Sequence, residues 1–478
     1  MPSLSPTAAR AASRPAASDA ARQDSEPGPA SASAMPVHRA ADSAVTDPSG
    51  ISGKACPARA EDASARASAG TMAPPVATGG ADMATPIGVS GPAAAATTRD
   101  LRLDVARGLA MFIILVAHIP GNPWAGWIPA RFGFSDATEI FVFCSGMASA
   151  IAFGGSFERK GWAIGTARVA FRCWQVYWAH ICLFFFVAMT MAALDTYGSF
   201  EGSYVHELNL GWFFDDPARQ IVGIFTLTYV PNYFDILPMY LVILAMMPLM
   251  MALVRISVAA AITGSLLLWT AANLGLLPLP AEPWGDRQWF FNPFGWQLLF
   301  FTGFGYMRGW LPKPPRSAGL AWAAAAFLVL GAPFGSWKVF LWLNDAWPAL
   351  GAQIRATWPI TEELRFKTEF GLLRYIHFLS LAYVAWYWAG EGGRRLSSLY
   401  NGRFGHFMLT IITKVGQQSL AVFVSSMALA RLIGFAFDQL GRSFIVVTAG
   451  NLFGFFLLVL VAYTASWFKT QPWRSKRI

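Results

Sequence analysis

Two polar residues share one face of the apolar segment RLDVARGLAMFIILVAHIP, which covers residues 102–120. Arg107 and His118 are eleven positions apart in it. A helix turns by about 100° per residue, so their side chains lie within about 20° of one face and about 16 Å apart along the axis. Polar groups are costly inside a bilayer and are typical of functional sites there. A neutral imidazole can take a proton from a hydroxyl, so His118 is the candidate general base and Arg107 a second candidate catalytic residue.

Glu139 is the candidate partner of this imidazole. About sixteen residues join the segment to the next apolar one, which predicts two antiparallel neighbours with His118 and Glu139 at similar depth. A carboxylate that accepts one ring N–H would fix the tautomer and raise the basicity of the other nitrogen. Asp136 is a less favoured substitute for Glu139. The alternative is a structural histidine that caps the helix end.

Arg168 and Arg172 form a second candidate site, for a phosphate-bearing ligand. They are four residues apart in one apolar segment, so they face the same way on consecutive helical turns. Guanidinium groups bind phosphate oxygens bidentately and keep their charge when they are partly buried. The spacing fits equally well with two side chains that only reach out to lipid headgroups.

Three further residues are predicted near the same membrane surface as His118, where they could line a cavity for a substrate. Asp235 could hydrogen-bond sugar hydroxyls, although a cap on the following helix is the favoured interpretation. Arg374 and His377 are three residues apart and share a helix face. A structural pairing of Arg374 with Glu369 or Asp345 stays open.

The elements that would position these residues are transmembrane helices. Of the 478 residues, 55% are hydrophobic and only 13% are charged, and several apolar runs approach or exceed the roughly 18 to 20 residues that cross a bilayer. The sequence therefore predicts an all-α, polytopic membrane helical bundle of about ten transmembrane helices. The predicted spans are residues 103–120, 137–155, 165–194, 234–254, 257–277, 292–310, 318–337, 371–390, 411–436 and 443–467.

Charge and composition divide the chain into three parts. Residues 1–98 are rich in Ala, Ser, Pro and Gly and are predicted to be a disordered tail, residues 101–467 the transmembrane domain, and residues 468–478 a basic cytoplasmic tail. The net charge of +9 arises largely in short links that fall on one side of ten spans, which predicts that both termini are cytoplasmic. We therefore expect a lipid bilayer as partner and no nucleic acid. The four cysteines show no metal or disulfide spacing, so we expect no metal site.

Five stretches resemble one known family. RLDVARGLAMFIILVAHIPGN, DATEIFVFCSGMASA, ARVAFRCWQVYWAH, NYFDILPMYLV and GQQSLAVF look like the OpgC-type membrane acyltransferases, and the likeness covers residues 101–467. Those proteins are related in plan to the broad acyltransferase-3 group, whose third span has two arginines with two residues between them. Here Arg168 and Arg172 have three residues between them.

The resemblance implies a succinyltransferase in the bacterial inner membrane. It would use acyl-CoA, with succinyl-CoA expected, as a cytoplasmic co-substrate with no bound cofactor, and its acceptor would be a glucose hydroxyl of an osmoregulated periplasmic glucan. The donor phosphates would dock near Arg168 and Arg172, and the thioester arm would pass Arg107 to reach His118. Two other functions stay open, namely O-acetylation of another extracytoplasmic polysaccharide and, less favoured, transport.

Overall fold

A computed structural model of the chain describes residues 100–198 and 203–474. The predicted disordered tail and the last four residues of the predicted basic tail lie outside the described residues. Within the described part the structure is helical, with one isolated antiparallel bridge between Pro280 and Gln288 and no β-strand. The all-α prediction is confirmed there.

The described part contains seventeen α-helices, joined in places by short 3₁₀ turns and one π turn. They are α1 Leu101–His118, α2 Ala137–Ser149, α3 Gly155–Tyr197, α4 Tyr204–Glu207, α5 Gly211–Asp215, α6 Pro217–Thr226, α7 Ile236–Ile256, α8 Val258–Asn273, α9 Pro293–Arg308, α10 Ala318–Gly335, α11 Trp337–Ala346, α12 Pro348–Arg365, α13 Leu372–Ala389, α14 Arg394–Ser398, α15 Arg403–Gln417, α16 Ser419–Leu440 and α17 Phe444–Thr470.

Five helical stretches in the described part are long and apolar enough to cross a membrane. These stretches are Ala137–Tyr197, which joins α2 to α3, and the helices α7, α10, α16 and α17. Each predicted span overlaps a helix, but the count of ten membrane spans is not confirmed by length and composition. The structure divides the predicted span 411–436 into α15 and α16 at Gln418, whose φ of −110° and ψ of 28° interrupt the helix.

Helix α1 lies at the centre of the bundle. The side chain of Asp100 accepts the backbone N–H of Arg102 and caps its first turn, and Pro120, which has no N–H, follows just after its end. The helix buries Met111 and Leu115 completely. Its neighbours are α2, α15 and α16. The side chains of α1 are therefore surrounded by helices from both ends of the chain.

Two glycines allow α1 and α15 to cross closely. A Cβ atom at Gly108 would overlap the carbonyl oxygen of Ile412, and one at Gly416 would overlap the carbonyl oxygen of Asp104. Small residues let helix backbones approach in this way inside membrane bundles. The crossing places the break at Gln418, and with it the start of α16, beside the first half of α1.

Candidate active site at the end of the first helix

His118 is the last residue of α1, and a backbone carbonyl sets its tautomer. Its Nδ1 lies 2.8 Å from the carbonyl oxygen of Ile114, one turn earlier. A carbonyl oxygen can only accept, so Nδ1 carries the hydrogen and Nε2 of the neutral ring has the free lone pair. Among the described residues, Nε2 has no hydrogen-bond partner. The arrangement leaves Nε2 available to accept a proton.

The imidazole packs against Tyr233, a residue that the sequence analysis did not select. The two rings meet edge to face, with centroids 5.6 Å apart and planes at 73°. Tyr233 has φ of 86°, an unusual backbone conformation for a tyrosine, and its hydroxyl donates to the carbonyl oxygen of Met427 at 2.6 Å. Such strain persists where the surroundings hold a residue in place and is common at functional sites. Tyr233 thus forms a fixed wall beside the candidate base.

The predicted hydrogen bond between Glu139 and His118 is wrong. Oε1 of Glu139 accepts from Nε and Nη2 of Arg374 at 2.9 and 2.5 Å, and Oε2 accepts the backbone N–H of Asp136 at 2.7 Å. Both carboxylate oxygens are therefore engaged, and the Ile114 carbonyl has the orienting contact that we expected from Glu139. The sequence DATE at residues 136–139 contained the signal, because an acidic or hydroxyl residue followed by Glu three positions later is typical of a capping box.

Asp136, the substitute partner, belongs to the same ion network. It lies 2.6 Å from Nζ of Lys367 and 3.9 Å from Nη2 of Arg374. Burial alone would raise the pKa of the Asp136 carboxyl, but these two cations outweigh burial and hold the pKa well below its usual range. The charges that act on His118 come from Asp136, Lys367 and Arg431. The network therefore lies close enough to the imidazole to contribute to its electrostatic surroundings.

Arg374 and His377 lie inside the bundle and are both engaged. The guanidinium binds the buried carboxylate described above, and neither Glu369 nor Asp345, its alternative partners, forms an ion pair with it in the described part of the chain. Nδ1 of His377 lies 2.7 Å from Oγ of Ser135, and only 5% of the residue is exposed. Their predicted contact with an acceptor is not tested by this geometry.

Asp235 precedes α7 but does not cap it. Its side chain makes no capping hydrogen bond, and its Oδ1 instead accepts the backbone N–H of Phe290 at 3.1 Å. The favoured capping interpretation is therefore wrong. The role of Asp235 toward a sugar stays a prediction, with the residue 5% exposed in this structure.

Arg107 lies against the break between α15 and α16. Its Nη2 donates to Oγ of Ser419, the first residue of α16. One turn earlier on α1, Oδ2 of Asp104 accepts from Nε2 of Gln417 at 3.3 Å. Polar residues of α1 and of the segment GQQS at 416–419 thus form a second polar layer, separated along α1 from the layer at His118.

Arg168 and Arg172 lie on α3, one turn apart, as their spacing requires. Arg168 is exposed and donates to Oγ of Ser156, whereas Arg172 is partly buried and its Nη1 lies 3.1 Å from Oε1 of Gln175. Within the described residues these partners all belong to α3, and no contact joins either guanidinium to Arg107. Their role toward a phosphate stays a prediction.

Comparison with known families identifies the chain. The family profile described as OpgC protein matches residues 99–470. The chain belongs to the OpgC protein family. No curated protein and no solved structure matches it.

Membership of the OpgC family implies an acyltransferase role. The matched range contains the described helices from α1 to α17, so both polar layers belong to the family domain. The described part also contains several helices that are able to cross a membrane, so this OpgC-family chain is an acyltransferase-like membrane protein.

Arg431 is the second residue of the candidate site that the sequence analysis missed. Its guanidinium carbon lies 4.4 Å from the centroid of the Tyr233 ring, and its Nη1 lies 3.2 Å from Oε2 of Glu207. The signal was present, because Arg431 is an isolated arginine in the apolar sequence SLAVFVSSMALARLIGF at 419–435, and an ionisable residue in such a run is a functional candidate by default.

Proposed function

We propose that this OpgC-family protein transfers a succinyl group from cytoplasmic acyl-CoA to a hydroxyl of an osmoregulated periplasmic glucan, with His118 as the general base. The observation that supports the base most directly is the contact from Nδ1–H of His118 to the Ile114 carbonyl, because it leaves Nε2 with a free lone pair. Family membership supports acyl transfer in general.

The proposed reaction needs one proton acceptor. The sugar hydroxyl donates its proton to Nε2 of His118 while its oxygen attacks the thioester carbonyl carbon. The carbon–sulfur bond then breaks and the imidazolium gives the proton to the departing sulfur, so CoA leaves as the thiol and His118 is neutral again. The Ile114 carbonyl stabilises the charged ring through Nδ1–H throughout. A positioned base of this kind contributes about 10² to 10⁴ in rate.

The donor is proposed to enter past the two arginines of α3. The exposed guanidinium of Arg168 and the partly buried one of Arg172 are placed on one face, which suits the phosphates of CoA. Arg107, held by Ser419, would then lie along the path of the acyl arm toward His118. The outer polar residues Asp235 and His377 are proposed to contact the acceptor after local rearrangement.

The topology proposed for this function has ten spans, with both termini in the cytoplasm of a bacterium and His118 near the periplasmic surface. It is supported by the basic links between apolar segments. Single cysteines at Lys313 and Asp345 provide a test in intact cells. A membrane-impermeant thiol reagent should label position 345 and spare position 313, and the reverse pattern would overturn the orientation.

The function itself is tested with the purified full chain in liposomes. Labelled succinyl-CoA is supplied on one side and neutral periplasmic glucan on the other, and the glucan is analysed for charge and label. We expect labelled, anionic glucan that releases succinate on mild alkaline hydrolysis. Absence of label on glucan, together with acetyl transfer to a different polysaccharide, would overturn the proposed acceptor and acyl group.

A further inference from the structure

Arg431 is a buried cation in an apolar helix, and its positive charge has no buried carboxylate beside it in the described part of the chain. Its side chain is 8% exposed, and its ion-pair partner Glu207 has a side chain that is 54% exposed, at 3.2 Å. By contrast, Lys367 and Arg374 both have close carboxylates: Lys367 lies 2.6 Å from Asp136, and Arg374 lies 2.5 Å from Glu139. Of these three cations, Arg431 is therefore the one whose charge is least neutralised by buried groups.

One donor of Arg431 is also unused. A guanidinium has five N–H donors, and a buried donor without an acceptor is unfavourable. Nε of Arg431 is buried and has no hydrogen-bond partner in the described part of the chain. The group that would satisfy it must accept hydrogen bonds and, given the charge, should be an anion.

The unused donor lies near the candidate base. The Tyr233 ring centroid is 5.6 Å from the imidazole centroid and 4.4 Å from the guanidinium carbon, so imidazole and guanidinium are at most about 10 Å apart. With carbon–carbon bonds of about 1.5 Å, the two carboxyl carbons of a four-carbon diacid are about 4 Å apart. A hydrogen bond of about 3 Å at the carboxylate end and a van der Waals contact of about 3.5 Å between the thioester carbonyl and the imidazole bring the total to a similar length.

We propose that Arg431 binds the free carboxylate of a dicarboxylic acyl donor while the thioester carbonyl at the other end lies beside Nε2 of His118. This inference rests on the proposed function and extends it by naming the residue that selects the acyl group. Tyr233 would act as a positioning residue, since it holds both the imidazole and the guanidinium in place.

The test compares two acyl donors that differ in the charge at the far end. The full chain in lipid nanodiscs is assayed with succinyl-CoA and with butyryl-CoA, which has the same number of carbons and no free carboxylate. We expect Arg431→Gln to lower kcat/KM for succinyl-CoA by about 10-fold or more, as expected for the loss of hydrogen bonds to a charged group, and to change the value for butyryl-CoA little. The preference of the enzyme for succinyl-CoA should fall accordingly.

Arg442→Gln is the matched control, since Arg442 follows the same helix, pairs with Asp438 and is 40% exposed. It should leave the preference unchanged. If Arg431→Gln does not fold, Arg431→Lys serves, and it should also lower the preference because lysine lacks the bidentate fork.

Two results would overturn the inference. One is an unchanged preference in a folded Arg431 variant, and the other is an equal loss with both donors, which would indicate stabilisation of the reacting carbonyl oxygen or a structural role. A wild-type protein that transfers neither acyl group would instead overturn the proposed function itself.

Discussion

Arg374→Met should destabilise the protein more than any exposed arginine substitution. Glu139 is 0% exposed and receives two hydrogen bonds from Arg374. Removing one partner of a buried ion pair costs about 3–5 kcal/mol because it leaves an uncompensated charge. Glu139 keeps the backbone N–H of Asp136, so we expect the lower half of that range, about 3–4 kcal/mol.

The complementary substitution Glu139→Gln should have a smaller effect. A glutamine oxygen can still accept from the Arg374 guanidinium, and the carboxylate of Asp136 remains 3.9 Å from it. The backbone N–H of Asp136 loses its carboxylate acceptor, so we expect about 1.5–3 kcal/mol, the usual contribution of a hydrogen bond to a charged group. Arg374→Met should have the larger effect because it leaves the Glu139 carboxylate without a cation, whereas in Glu139→Gln the Arg374 guanidinium still has Asp136 nearby.

Thermal unfolding of the purified protein in detergent measures both variants. For a chain of this size about 2 °C in apparent Tm corresponds to 1 kcal/mol, so Arg374→Met should lower Tm by about 6–8 °C. Arg394→Met is the control, because Arg394 and Glu391 are both 79% exposed and such pairs contribute about 0–1 kcal/mol. Equal shifts for Arg374→Met and Arg394→Met would refute the reasoning.

Three other substitutions test separate parts of the structure. Gly108→Leu should force α1 away from the Ile412 carbonyl and lower Tm by about 2–6 °C. Gly402→Leu is the control and should leave Tm unchanged, because there is open space around its Cβ position. Equal Tm values for the two variants would contradict the close crossing of α1 and α15. Asp136→Asn should destabilise the protein at pH 7. The pKa of Asp136 is lower in the folded chain than in the unfolded one, so the carboxylate stabilises the fold at neutral pH. In denaturation experiments the difference in stability between the variant and wild type should shrink only below about pH 4. A difference that vanishes at pH 6 would contradict this role of Asp136. Arg172→Gln should raise KM for acyl-CoA about 10-fold with little change in kcat, and an unchanged KM would remove Arg172 from the proposed donor site.

The sequence predicted the helical elements well because apolar runs and helix boundaries are local signals. It predicted the helix that carries Arg107 and His118 and placed both on it correctly. It predicted one span where α15 and α16 are separate, although the polar residues GQQS at 416–419 marked the interruption. It also predicted no span between residues 337 and 371, where α11 and α12 occupy most of the chain, because their amphipathic faces contain fewer apolar residues than a membrane span.

The partners within the site were harder to predict because they depend on contacts distant in sequence. Glu139 binds an arginine 235 positions away, and Asp136 binds Lys367, which is 231 positions away and lies between two predicted spans. Tyr233 contacts His118 only because its backbone adopts a positive φ, which no residue pattern around it indicates. The tautomer of His118 follows from a backbone carbonyl one turn earlier, a contact available to any histidine at a helix end.

His118→Asn is the measurement that tests the central claim most directly. The asparagine amide nitrogen occupies the place of Nδ1 and can still donate to the Ile114 carbonyl, so the helix end is preserved while Nε2 is removed. Succinyl transfer to glucan is measured under single-turnover conditions, with Tm and succinyl-CoA affinity as controls. We predict a rate lower by about 10² to 10⁴ with both controls unchanged. A variant that keeps its controls and transfers at the wild-type rate would contradict the role of His118 as the base.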